Sequence, residues 1–146
     1  MPITLLITDD STIILKTWKY ILGFDPRFQV IDTCTSGEIA VEQVQKLHPD
    51  IVIMDSNLPG ISGIEATAMI SKCVPETKVL GFSLHTEPIY ARSFIAAGAV
   101  DYIEKTVSVK KMAETLLRIY HNQTPGYLGK ELKMQKGVFA KGIHKK

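Results

Sequence analysis

Cysteine is scarce: Cys34 and Cys73 are the only two in 146 residues. They stand far apart, and neither has the spacing of a metal-ligand or redox pair, so both read as packing residues. Long apolar runs are missing as well. None approaches the ~18 residues a membrane span requires. The opening Met-Pro-Ile-Thr lacks the basic region that begins a secretory signal. A cytoplasmic address without a membrane partner is therefore expected. Internal repeats and low-complexity segments are also lacking.

The chain does have enough apolar material to fold. Apolar residues make up 45% and charged residues 22%, too hydrophobic for a disordered chain and ordinary for one globular core. The net charge of +2 conceals an asymmetry. Residues 122–146 hold six lysines against one glutamate, a local charge of +5, which leaves −3 on residues 1–121. Any attraction to nucleic acid belongs to that basic tail alone.

Residues 1–121 alternate β-branched runs with segments of helical period, a pattern that predicts helices on both faces of a parallel sheet. The strands are expected at Ile3–Thr8, Phe28–Thr33, Ile51–Met54, Lys78–Phe82 and Val100–Ile103. Their mostly apolar character suits strands buried on both faces. The first helix, about Thr12–Leu22, presents Ile14, Trp18, Ile21 and Leu22. The last, about Val109–Tyr120, presents Val109, Met112, Leu116 and Tyr120. Ser36 and Ser62 stand at or just before helix starts. Because crossovers between parallel strands are right-handed, five βα units most simply give a flavodoxin-like (βα)5 three-layer sandwich of strand order 2-1-3-4-5. Ligands of such sheets bind beyond the carboxyl ends of the strands where the order reverses, between the first and third. Asp9, Asp10 and Asp55 fall there.

Three carboxylates drawn together repel one another unless a cation neutralises them. Mg2+, with Mn2+ as a substitute, is the natural candidate, since it takes oxygen ligands and uses one or two carboxylates with phosphate oxygens. Asp10 and Asp55 can bind directly, Asp9 through water, and the backbone carbonyl of Asn57 can complete the set. Taken singly, Asp10 before Ser11 also suits a helix cap, and Asp55 the start of a loop. Two acidic strand ends at the switch point are harder to reach by chance, and Lys105 and Ser83 converge there. A lysine can neutralise a phosphoryl oxygen and a serine hydroxyl can donate to another.

Over residues 3–121 the chain resembles a response-regulator receiver domain. The resemblance rests on Asp9-Asp10, on Met54-Asp55-Ser56-Asn57-Leu58-Pro59-Gly60-Ile61-Ser62-Gly63, on Ser83, and on Tyr102-Ile103-Glu104-Lys105. It implies that Asp55 is the phosphoacceptor, that Asp9 and Asp10 hold magnesium, and that Lys105 contacts the phosphoryl group. Ser83 and Tyr102 would form the conformational relay. Thr106 stands where many receivers have proline, which excludes a cis X-Pro bond there. Leu84 stands where a small residue is usual. Together with Asn122–Leu132, the missing proline resembles receivers joined to a helix-turn-helix output domain of the NarL/FixJ type.

The implied chemistry is phosphoryl transfer from a phosphohistidine of a sensor histidine kinase or phosphotransfer protein. Such a domain is a phosphoacceptor, at most labelling itself from small donors and slowly dephosphorylating. Asn57, His85 and Leu84 are candidates for tuning the lifetime of the modified state. The expected readout is the face of the fourth helix, fifth strand and fifth helix, with homodimerisation as one outcome. DNA would be reached through an output domain outside the chain, or weakly through the tail at 122–146, a linker remnant or basic extension. A stand-alone or degenerate receiver acting by protein contacts is the alternative. A flavin binder of this topology is disfavoured by the acidic pair after the first strand. A phosphatase with an aspartate nucleophile is disfavoured because Asn57 replaces the second carboxylate it needs.

Overall fold

The computed structural model describes residues 1–123. The basic segment expected at 122–146 therefore lies, beyond residue 123, outside the described residues. Five strands and five helices alternate: β1 (Ile3–Thr8), α1 (Thr12–Gly23), β2 (Phe28–Cys34), α2 (Gly37–Leu47), β3 (Ile51–Met54), α3 (Gly63–Cys73), β4 (Lys78–Ser83), α4 (Pro88–Ala97), β5 (Asp101–Glu104) and α5 (Val109–Tyr120). All strand pairs are parallel, in the order β2-β1-β3-β4-β5. This is the flavodoxin-like topology expected from the alternating pattern.

Period-two alternation along the strands divides the interior into two cores. Leu6, Val52 and Met54 point to one face, where Ala66, Ile70 and Phe94 cover them. Leu5, Ile7 and Ile53 point to the other, beneath Trp18, Met112 and Leu116. All four residues of β3 are buried, as a central parallel strand requires. Four of the helices start at a serine: Ser11, Ser36, Ser62 and Ser108 each accept the N–H three residues on. Such a cap contributes about 1 kcal/mol. α4 instead starts with Pro88 and ends at Gly98 in the left-handed region, φ 116°.

β1 and β3 have the expected bounds, while β2 and β4 each run one residue further. β5 starts one residue later, at Asp101. Val100 already donates its N–H to the Val79 carbonyl at 2.9 Å, but the paired ladder begins at Asp101 opposite Leu80. The α1 stripe is centred on Leu15, Trp18 and Leu22, with Ile14 and Ile21 at its flanks. On α5 the buried stripe is Met112, Thr115, Leu116 and Ile119. Val109 and Tyr120, expected on it, are the first and last residues of the helix and are exposed. Cys34 is buried as a packing residue should be, whereas Cys73, expected to pack as well, is exposed at the end of α3.

Candidate functional site

The backbone fixes the site before any side chain does. One hydrogen bond beyond the end of β1, Asp9 N donates to the Cys34 carbonyl. One beyond β3, Asp55 N donates to the Thr8 carbonyl, each at 3.0 Å. Lys105 N likewise donates to the Ser83 carbonyl at 2.9 Å, just past β5. Asp9, Asp55 and Lys105 are thus held by extensions of the sheet rather than by free loop.

Asp9, Asp10 and Asp55 each offer a carboxylate oxygen, and these oxygens lie within 4.8 Å of one another. Asp9 and Asp55 are buried and Asp10 is exposed. Lys105 Nζ bridges the buried pair, 2.6 Å from Asp9 Oδ2 and 3.1 Å from Asp55 Oδ1. Asp9 Oδ1 accepts the Ser11 N–H at 2.9 Å. Burial, then the charge of Asp9, pushes the Asp55 acid above the ordinary aspartate range, against the opposing pull of Lys105 and the Asn57 backbone N–H. Burial works against the Lys105 ammonium, but its hydrogen bond to Asp9 and the charges of both acids outweigh it and raise its pKa. Two acids share one ammonium, so negative charge remains in excess. That excess, borne on oxygens alone, suits a hard divalent cation.

A cavity of about 440 Å³ opens over this cluster, lined by Asp9, Asp10, Asp55, Ser56, Ser83 and Lys105, among others. Gly63 makes the floor possible, because a Cβ there would sit 1.7 Å from the Asp55 carbonyl oxygen. Gly60, at φ 75°, turns the preceding loop as expected. Glu38 of α2 fastens that loop by accepting the Ile61 N–H at 2.6 Å.

The other expected residues divide between the cavity and its rim. Ser83 is buried, and its Oγ lies 2.7 Å from Ser56 Oγ. Asn57 is exposed on the loop after Asp55. Leu84 is 70% exposed on the rim. His85 also borders the cavity, but its ring stacks on Tyr90 at 3.9 Å and 4°. Thr106 lies in a tight turn closed by Val107 N donating to the Glu104 carbonyl at 3.1 Å. The Tyr102 ring lies inward, against Phe94, at a centroid distance of 5.6 Å, and its hydroxyl donates to the His85 carbonyl. Burial raises its phenol pKa, opposed by a hydrogen bond with Ser83. Ser56 has no role in the sequence reading beyond its place in the motif after Asp55. Only the fold brings its hydroxyl to Ser83, 27 positions away.

The family described as the response regulator receiver domain matches residues 5–117. The chain belongs to that family. As a receiver domain it takes part in two-component signalling, accepting a phosphoryl group rather than turning over a substrate as an enzyme does. The transcriptional regulatory protein DegU of Brevibacillus brevis is 34% identical over 114 residues, which are 78% of this chain and 48% of that relative. The chain thus spans about half the length of that relative. The response regulator domain of Thermotoga maritima CheB superposes with a TM-score of 0.73 at 30% identity, covering 85% of this chain and 97% of that one. A LuxR-family response regulator from Aurantimonas sp. SI85-9A1 gives a TM-score of 0.83 over 93% of this chain and 99% of that one. At 23% identity, that likeness speaks for the fold. No helix among the described residues is long and apolar enough to cross a membrane.

Proposed function

We propose that this receiver domain takes a phosphoryl group onto Asp55 from the phosphohistidine of a sensor histidine kinase or phosphotransfer protein. The observation that carries the reading is the placement of Lys105 Nζ, 2.6 Å from Asp9 and 3.1 Å from Asp55, at the base of an open cavity. A carboxylate oxygen of Asp55 attacks phosphorus. The P–N bond breaks, its electron pair leaves with the imidazole, and an acyl phosphate forms. Lys105 turns from the carboxylate to a phosphoryl oxygen, a charge-assisted contact. Ser83 donates to a second oxygen.

Asp10 and Asp55 would hold a divalent cation directly, Asp9 through water, and Asn57 through its backbone carbonyl. Mg2+, or Mn2+ in its place, neutralises charge on the transferring group when bound. Asn57 and His85 flank the approach of water and, with Leu84 at the rim, set the lifetime of the acyl phosphate. Exchange of the Ser83 contact changes the surroundings of Tyr102, and so the face of α4, β5 and α5. A cavity of about 370 Å³ on that face, lined by Ala91, Tyr102, Lys111 and Arg118 among others, gives the change a place to be read. Homodimerisation on phosphorylation and a NarL/FixJ-type output domain outside the chain complete the proposal.

The test is labelling by a small phosphodonor such as acetyl phosphate, with and without Mg2+. Labelling that depends on Mg2+ and falls sharply in Asp10→Ala is expected. Labelling indifferent to both contradicts the cation assignment, and no labelling at all favours a degenerate receiver acting through protein contacts.

A further inference from the structure

One buried polar side chain has no task in the chemistry just described. Ser56 is 7% exposed and follows Asp55 directly, and its Oγ lies 2.7 Å from Ser83 Oγ. That distance leaves open which hydroxyl donates. Ser83 Oγ also accepts the His85 N–H at 3.2 Å, and the Tyr102 hydroxyl donates to the carbonyl of the same His85. Ser56 and the His85 backbone thus hold Ser83 from two sides.

We propose that Ser56 is a positioning residue that fixes the Ser83 hydroxyl at the cavity over Asp55. The inference rests on the reading that Asp55 carries the phosphoryl group and Ser83 answers it. Ser56 and the His85 N–H both engage the Ser83 oxygen. Held there, the hydroxyl can turn its one proton to an oxygen of a group carried on Asp55. Any other Ser83 rotamer breaks contacts inside a buried site, where unmet polar groups are costly. Ser56 is itself held firmly, since its carbonyl accepts the Gly63 N–H at 3.0 Å and a Cβ at Gly63 would meet this same stretch of backbone. Without the Ser56 hydroxyl, Ser83 loses one of the contacts that hold it.

The test uses the full chain, with NMR of the His85 amide and the Tyr102 ring and with titration of the phosphoryl mimic beryllofluoride in Mg2+. In Ser56→Ala, both sets of ligand-free resonances shift or broaden. The beryllofluoride concentration at half-saturation rises roughly three- to tenfold, the effect of losing one net neutral hydrogen bond. Ser56→Thr, which keeps the hydroxyl, restores both signals. In a Ser83→Ala background, Ser56→Ala adds nothing. Unmoved His85 and Tyr102 resonances overturn the proposal, as does a beryllofluoride penalty that persists when Ser83 is already alanine. A parent protein that binds no beryllofluoride refutes the Asp55 reading instead, and the ligand-free resonances still decide on Ser56.

Discussion

Replacing Lys105 with methionine removes the one ammonium that bridges Asp9 and Asp55 while keeping most of the apolar stem. The Lys105 side chain is 8% exposed, and those of Asp9 and Asp55 are 0% and 3%, so solvent screens the three groups poorly. Deleting one partner of such a buried pair costs about 3–5 kcal/mol. An acid that takes up a proton limits the loss, so about 3 kcal/mol is expected near pH 8. For a domain of this size that corresponds to a fall in Tm of about 10 °C. The sign with pH follows from the acids. Asp55 is already raised by burial and by Asp9, and loss of Lys105 raises it further. The variant is therefore most stable when acid protonates Asp55, and it loses stability as pH rises through the folded-state pKa of that residue. In the parent the raised Lys105 pKa keeps its contribution in full below the unfolded lysine value and loses it only in strong alkali. Thermal melts by circular dichroism at pH 5.5 and pH 8, each with chelator or with Mg2+, separate these effects. The deficit should be largest at pH 8 in chelator and shrink with acid or with Mg2+. A deficit equal under all four conditions, or none at pH 8 in chelator, refutes this electrostatic reasoning.

Three further changes test other parts of the structure. Gly63→Ala places a Cβ 1.7 Å from the Asp55 carbonyl oxygen, and should cost about 3 kcal/mol or more while displacing Asp55; urea denaturation beside acetyl phosphate labelling checks both. Arg118→Met leaves Asp101, 0% exposed, without the guanidinium 2.7 Å away, an expected loss of about 3 kcal/mol at neutral pH; an unchanged denaturation midpoint contradicts it. Burial and the charge of Asp32 push the Cys34 thiol up to about 12, so iodoacetamide at pH 8 should modify exposed Cys73 long before Cys34, as peptide mass spectrometry will show.

What the sequence conveyed and what it hid have different physical origins. The strand apolar runs, the serine caps and the acidic residues after β1 and β3 are local signals, and right-handed crossovers turn them into one topology. The start of β5 was set one residue early, at Val100, because sequence pattern does not show where the paired ladder begins: Val100 bonds the Val79 carbonyl before the ladder opens at Asp101. The α5 stripe was drawn through Val109 and Tyr120 because periodicity alone does not fix which of the neighbouring positions at a helix end are covered, and here Thr115 and Ile119 are buried in their place. Ser56 remained invisible for a related reason: a serine in a polar loop has no signature, and its partner Ser83 arrives only through the β3–β4 pairing. The inward Tyr102 ring likewise depends on space above Gly81, where a Cβ would meet both Phe94 and Tyr102 at 2.9 Å.

The central claim, phosphorylation of Asp55, is tested most directly by mapping the modified peptide after incubation with acetyl phosphate and Mg2+. The predicted result is one base-labile label, on the peptide containing Asp55, that disappears in Asp55→Asn. An acid-stable label on a serine or threonine, or labelling undiminished in Asp55→Asn, contradicts it.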